Sequence, residues 1–206
     1  MAVCKIVDYI YHEHLAHHSI KPLNRFFESL DMKIIDVENI NTKGGSIRCY
    51  VAHKESNWAI SENIAKFIDE ENKAGLYQVE TYIELKNDMN EIAEQVIHYL
   101  SQVKSDNKSI VSYGASATTT VLNQIYNINK YFSYIVDDNP KRQERVSPGA
   151  KLIVRSSAYM ISDNPNVVFI AAWRFSEIII NKNKEYLNNG GIFVIPLPKF
   201  RIISKS

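Results

Sequence analysis

Ile110-Val111, followed by Tyr113-Gly-Ala-Ser-Ala117, decides how this 206-residue chain folds. A short apolar run halts at a glycine. A helical pattern then starts at once and runs through Val121, Leu122 and Ile125. A strand feeds a helix in this way in an α/β unit. The same alternation continues downstream. Tyr134-Ile-Val136 reads as a strand ending in Asp137-Asp-Asn-Pro140, and Leu152-Ile-Val154 as another short one. Val167-Val-Phe-Ile-Ala-Ala172 reads as a buried strand. Phe175, Ile178, Ile179 and Tyr186 carry a helix to Gly190-Gly191, and Ile192-Phe-Val-Ile195 is the last strand. Residues 105–206 are therefore expected to form a Rossmann-like α/β domain, a parallel sheet with flanking helices. Ligands of such sheets sit beyond the carboxyl ends of the strands. Tyr113–Ala117, Asp137–Asn139 and Trp173–Arg174 are expected there.

Upstream the texture changes twice. Residues 1–54 are expected to hold a helix and a hairpin. Ser19 can cap the helix, and Leu23, Phe26, Phe27 and Leu30 keep its apolar spacing. Lys33–Glu38 and Ser46–Val51 alternate as strands around the turn Thr42-Lys-Gly-Gly45. Residues 55–104 are expected to be a helical connector. Trp58, Ile60, Ile64, Phe67 and Ile68 keep helical spacing, and Gly75 interrupts it. Tyr82, Leu85, Met89, Ile92, Val96, Ile97 and Leu100 resume it.

Composition narrows the function classes. Lys plus Arg is 24 and Asp plus Glu is 23, a net charge of +1, and 45% of residues are hydrophobic. This is globular composition, without the basic footprint of a nucleic-acid binder. Two cysteines, Cys4 and Cys49, are too few for a disulfide framework. There is no run of about 20 apolar residues to span a membrane. The first residues lack the pattern of a secretory leader, so a cytoplasmic location is expected.

Three constellations carry chemistry. Gly114 follows a strand and opens a helix, whose free N–H groups suit a phosphate; the other reading is a tight strand-to-helix turn. Asp137-Asp138 lies about 20 residues further on, where an acidic side chain grips a ribose in nucleotide-binding units; Asp-Asn-Pro is equally good turn chemistry. Gly114-Ala-Ser-Ala117 also looks like a nucleophile elbow, but all six histidines precede Ser116, whereas that fold needs one after it. The third constellation is Tyr11, Glu13 and His14, inside a segment that also holds His12, His17 and His18. No cysteine or acidic cluster joins these histidines at metal-ligand spacing, so no metal site is assigned. Imidazole can take a proton from carbon beside a ketone, tyrosine can hold the enolate oxygen, and glutamate can orient the imidazole. The bland alternative is a polar surface segment leading into the helix.

Together the motifs resemble one family, the S-adenosylmethionine-dependent C-methyltransferases of nucleotide sugars, which make branched deoxysugars such as mycarose. The resemblance runs over nearly the whole chain. It is carried by Ile10-Tyr-His-Glu-His14, Ser19, Thr42-Lys-Gly-Gly-Ser-Ile-Arg48, Tyr113-Gly-Ala-Ser-Ala117, Ile135-Val-Asp-Asp-Asn-Pro140, Pro148-Gly149, Ala172-Trp-Arg-Phe175 and Gly190-Gly-Ile-Phe-Val-Ile-Pro-Leu-Pro198. It implies proton removal beside the ketone of a 4-keto sugar, carried on a nucleoside diphosphate that is expected to be dTDP. His14 would be the base, Tyr11 would handle the ketone oxygen and Glu13 would support both. Tyr113, Gly114, Ser116, Asp137, Asp138 and Trp173 would hold the nucleotide sugar.

The departures are specific. Family members carry a zinc-binding segment with paired cysteines and a glycine-rich loop for the methyl donor, and neither pattern occurs in this sequence. Thr118 stands where the family tends to have lysine, and Arg174 where it usually has asparagine. The expectation is thus the C-terminal part of such an enzyme, with residues 1–54 as the tail of a methyltransferase domain. It would be active when another chain supplies the donor site. The alternative is a non-catalytic module that binds a nucleotide sugar or a protein partner. Lys33–Glu38 and Ser46–Val51 would be edge strands, and strand edges invite pairing. A homodimer, or docking to a donor-binding chain through residues 33–51, is therefore expected.

Overall fold

The computed structural model describes residues 8–40 and 45–205. Cys4 and most of the expected turn at Thr42–Gly45 lie outside them. The described chain divides into two compact units. One comprises residues 14–40 with 45–86 and the other residues 8–13 with 87–205.

The first unit is built on α1 (Ile20–Glu28), β1 (Met32–Ile40), β2 (Ser46–His53) and α2 (Asn63–Lys73). β1 and β2 form an antiparallel hairpin, with Ile34 opposite Val51 and Asp36 opposite Tyr50. The extra residue is Ile35, a bulge. Strict alternation would send Ile34 and Val37 to opposite faces. The bulge returns both to one side, and with Ile20 and Ile64 they make the core of this unit. The Ile35 carbonyl, freed from the ladder, accepts the N–H of Ser61 at 2.8 Å. That bond shapes the loop before α2. Trp58 and Ile60 consequently lie exposed in this loop, and the helix expected through them begins at Asn63. Ser19 precedes α1 but makes no side-chain cap. Glu71 of α2 serves instead, its carboxylate accepting the N–H groups of Ile20 (2.5 Å) and Lys21 (3.2 Å).

In the second unit, six strands stand in the order β5-β4-β3-β6-β7-β8. They are β3 (Ile110–Tyr113), β4 (Ile135–Val136), β5 (Val154–Arg155), β6 (Val167–Ile170), β7 (Ile192–Ile195) and β8 (Arg201–Ile203). All neighbours pair in parallel except β8, which runs antiparallel to β7. The α/β sheet with flanking helices is thus as expected, with one antiparallel edge strand added. Every residue of β3 and β6 is buried, as central strands covered on both faces require. The helices are α4 (Ala117–Ile125), α5 (Ser157–Asp163), α6 (Ser176–Lys182) and α7 (Lys184–Asn188); α3 (Val79–Ser105) contributes residues to both units. The core gathers Val111, Val136, Met160, Val168, Ile170, Tyr186, Phe193 and Ile195. β4 and β5 extend from β3 one way, and β7 and β8 extend from β6 the other. The chain therefore reverses its direction of travel between β3 and β6. At such a switch point the loops leaving the two strands diverge and open a crevice. No helix among the described residues is long and apolar enough to cross a membrane.

Candidate functional site

The crevice at the switch point is a cleft of about 270 Å³. β3 and the turn after it deliver Tyr113, Gly114 and Ser116 to it, the loop after β4 delivers Asp137, Asp138 and Arg142, and the turn after β6 delivers Ala172 and Phe175. Ile178 and Ile179 of α6 close one wall. Five of the six residues expected to hold a ligand therefore share one site.

Gly114 has φ +116°, and a Cβ there would come within 2.8 Å of Thr119 Cγ2 and 2.9 Å of Ala172 Cβ. Only glycine lets the chain turn here while β3 stays against the loop leaving β6. The turn is satisfied from within. Gly114 N–H donates to the Val136 carbonyl at 2.7 Å, and Ala115 N–H to Asp137 Oδ2 at 2.8 Å. Ser116 caps α4, its Oγ accepting the N–H of Thr119. Asp137 is fully engaged, since it also accepts Asn139 N–H (2.9 Å) and Arg142 Nη1 (3.0 Å). Its role in the fold is to lace the β3 and β4 loops together.

Asp138 is placed differently. Oδ2 accepts the Tyr113 hydroxyl at 2.9 Å, while Oδ1 faces Lys182 Nζ at 2.7 Å. Burial works to raise its pKa, but bonds from Lys182, Tyr113 and Ser157 outweigh burial and hold it below the ordinary carboxylate value. Burial, reinforced by Asp138, pushes the Tyr113 phenol well above its ordinary value, so it stays a hydrogen-bond donor. The Lys182 side chain is 51% exposed, and exposed ion pairs of this kind contribute little. A ligand can therefore displace the lysine and take Asp138 as a hydroxyl acceptor. Phe175 and Ile178 stand exposed beside these polar groups, an apolar wall for a ring.

Trp173, the sixth residue, lies next to the cleft in chain order and turns to another partner. Its Nε1–H donates to Asp8 at 3.1 Å. Arg174 completes the grip, Nη1 and Nη2 reaching the two Asp8 oxygens at 2.8 and 2.6 Å. Nothing local signals this pair, whose members lie 166 residues apart.

The segment carrying Tyr11, Glu13 and His14 is neither strand nor helix but turns and irregular backbone. Tyr11 and Glu13 belong to the second unit and His14 to the first. Tyr11 stacks on Tyr9, ring centres 6.5 Å apart. Its phenol is held above the ordinary value, by burial first and then by the charge of Glu13. Glu13 is exposed and lies 3.8 Å from His12 Nε2. Among the described residues, no three His, Cys, Asp or Glu side chains are grouped to hold a metal.

The β3 turn offers no open cradle of its own: the Ala115 amide is taken by Asp137, and the space at Gly114 is filled by Thr119 and Ala172.

Comparison with known proteins adds two findings. The family model described as C-methyltransferase C-terminal domain matches residues 41–198. C-methyltransferase NovU of Streptomyces niveus is 27% identical over 198 residues, which is 96% of this chain and 47% of that protein. The chain thus spans about half the length of the curated relative it matches.

Proposed function

Since the chain belongs to the family of C-methyltransferase C-terminal domains, we propose that it is the acceptor-holding part of a C-methyltransferase that acts on a nucleotide-linked 4-keto-deoxysugar. The observation that carries this reading is the Tyr113–Asp138–Lys182 cluster at the switch point. It offers a hydroxyl acceptor and a displaceable cation beside the Phe175 wall, which suits a ligand bearing a ring, hydroxyls and phosphate. The cleft is sized for part of such a ligand, and the sugar extends out of it.

The chemistry assigned to this chain is the removal of a proton. His14 takes it from the carbon beside the ketone, and the C–H electron pair moves into the enolate. The Tyr11 hydroxyl donates to the enolate oxygen. A phenol keeps its proton at neutral pH, as a donor to an enolate oxygen must. Glu13, which lies beside His12, is assigned a supporting electrostatic role. S-adenosylmethionine is the methyl source this function calls for, held by residues other than those of the β3 turn. The donor site belongs to a chain or region that docks on the 33–51 hairpin. There a groove of about 690 Å³ runs past Tyr50, Trp58 and Ile60.

Calorimetric titration with dTDP and with S-adenosylmethionine, each alone, tests this. dTDP is expected to bind within the ~1 µM–1 mM range usual for substrates, and the donor is expected not to bind. Absence of dTDP binding overturns the acceptor role, and donor binding overturns the separate donor site. dTDP binding with no turnover under any donor supply leaves the non-catalytic module.

A further inference from the structure

A buried ion pair at the start of the second unit has no part in the function proposed so far. Asp8 is 1% exposed and meets Arg174 through a two-point fork, with the Trp173 indole as a third donor. The Arg174 guanidinium also lies over two rings, 4.5 Å from the centre of Tyr9 and 4.3 Å from that of Trp173. One arginine therefore grips two consecutive residues of the N-terminal segment, and Tyr11 stacks on the second of them. The turn Trp173–Phe175 is shared. Ala172 and Phe175 line the cleft, whereas Trp173 and Arg174 hold Asp8.

We propose that Arg174 and Asp8 are positioning residues, a clamp that seats the Tyr9–Tyr11 segment on the turn that also walls the acceptor cleft. An isolated arginine would not be buried here without its carboxylate. The planar fork matters, because a lysine cannot make both bonds or cover both rings. Ligand in the cleft and the placement of Tyr11 are in this way built on one short piece of backbone. The role rests on the assignment of Tyr11 to the reaction, but the clamp can be tested apart from it.

The test uses the full chain with 3-fluorotyrosine at position 11, compared with Asp8→Asn and Arg174→Lys variants. Hydrogen exchange of residues 9–13 is expected to speed up at least tenfold in both variants. The fluorine resonance of position 11 is expected to move to the shift of free fluorotyrosine. Peptides from β3 and β6 keep their protection and show that the sheet is intact. Adding dTDP is expected to shift the fluorine resonance in the unsubstituted chain and to leave it still in both variants. Unchanged exchange of residues 9–13 in both variants overturns the clamp. If dTDP fails to bind the unsubstituted chain, the nucleotide-sugar function falls, and the exchange of residues 9–13 still decides the clamp.

Discussion

The hydroxyl of Tyr113, the last residue of β3, donates to Asp138 in the loop after β4, 2.9 Å away. This bond joins two residues that line the cleft and leaves the second oxygen of Asp138 to an exposed lysine. Asp138→Asn is therefore expected to weaken dTDP binding about tenfold while lowering stability by no more than ~1 kcal/mol, since the lysine pair is solvent-screened. Calorimetry and thermal unfolding on the same samples read both effects.

The same carboxylate gives a pH dependence with a definite sign. Its folded pKa lies below the ordinary value near 3.9. The stability it contributes is fully present above that unfolded value and is lost as pH falls through the lower folded one. The difference in Tm between the unsubstituted chain and Asp138→Asn is expected to be constant from pH 7 to about pH 5. It should close below about pH 4. A difference that closes near neutrality would show that another group is responsible.

Gly114→Ala combines a strained φ with two contacts under 3 Å. A loss of about 2–4 kcal/mol is expected from denaturant unfolding, part from the backbone conformation and part from overpacking. Adding Thr119→Ser removes the methyl group on one side and should recover only part of the contact share, since Ala172 Cβ stays 2.9 Å away.

Glu71 serves the N-terminus of α1, where Ile20 is wholly buried. Glu71→Ala leaves two amide donors of that turn without their acceptor, at a cost of about 1–3 kcal/mol. Glu71→Gln retains one carbonyl oxygen and should cost less. Urea unfolding curves of the two variants rank them.

Tyr11→Phe and His14→Gln separate catalysis from binding. With the donor-binding half of a relative supplied in trans, kcat is expected to fall about 10²–10³-fold for Tyr11→Phe and about 10²–10⁴-fold for His14→Gln. dTDP affinity should be unchanged in both. Equal turnover in all three proteins would remove the pair from the mechanism.

The frame of the second unit was legible because central parallel strands are buried on both faces and read as apolar runs, as Ile110–Tyr113 and Val167–Ile170 do. The cleft followed from where those runs stop. Less visible was α5, although Ser156 caps it and Asn164 closes it at φ +47°, signals available in the residues themselves. β8 is three residues long at an edge with two of them exposed, so no pattern announces it. The bulge at Ile35 and the Asp8–Arg174 pair depend on partners far along the chain, where a local period carries no information. Lys182 likewise reads as one more helix-surface cation until Asp138 is placed beside it.

The bulge in β1 also bears on how assembly ends. A flat, regular strand edge accepts one neighbour after another and grows without limit. With Ile35 out of register, β1 bends and twists at its centre. A second strand can follow that edge only if it is shaped to the same curve. The association proposed for the hairpin would therefore be self-terminating: the edge would admit a fitted partner and give a stack of identical chains no straight template to extend.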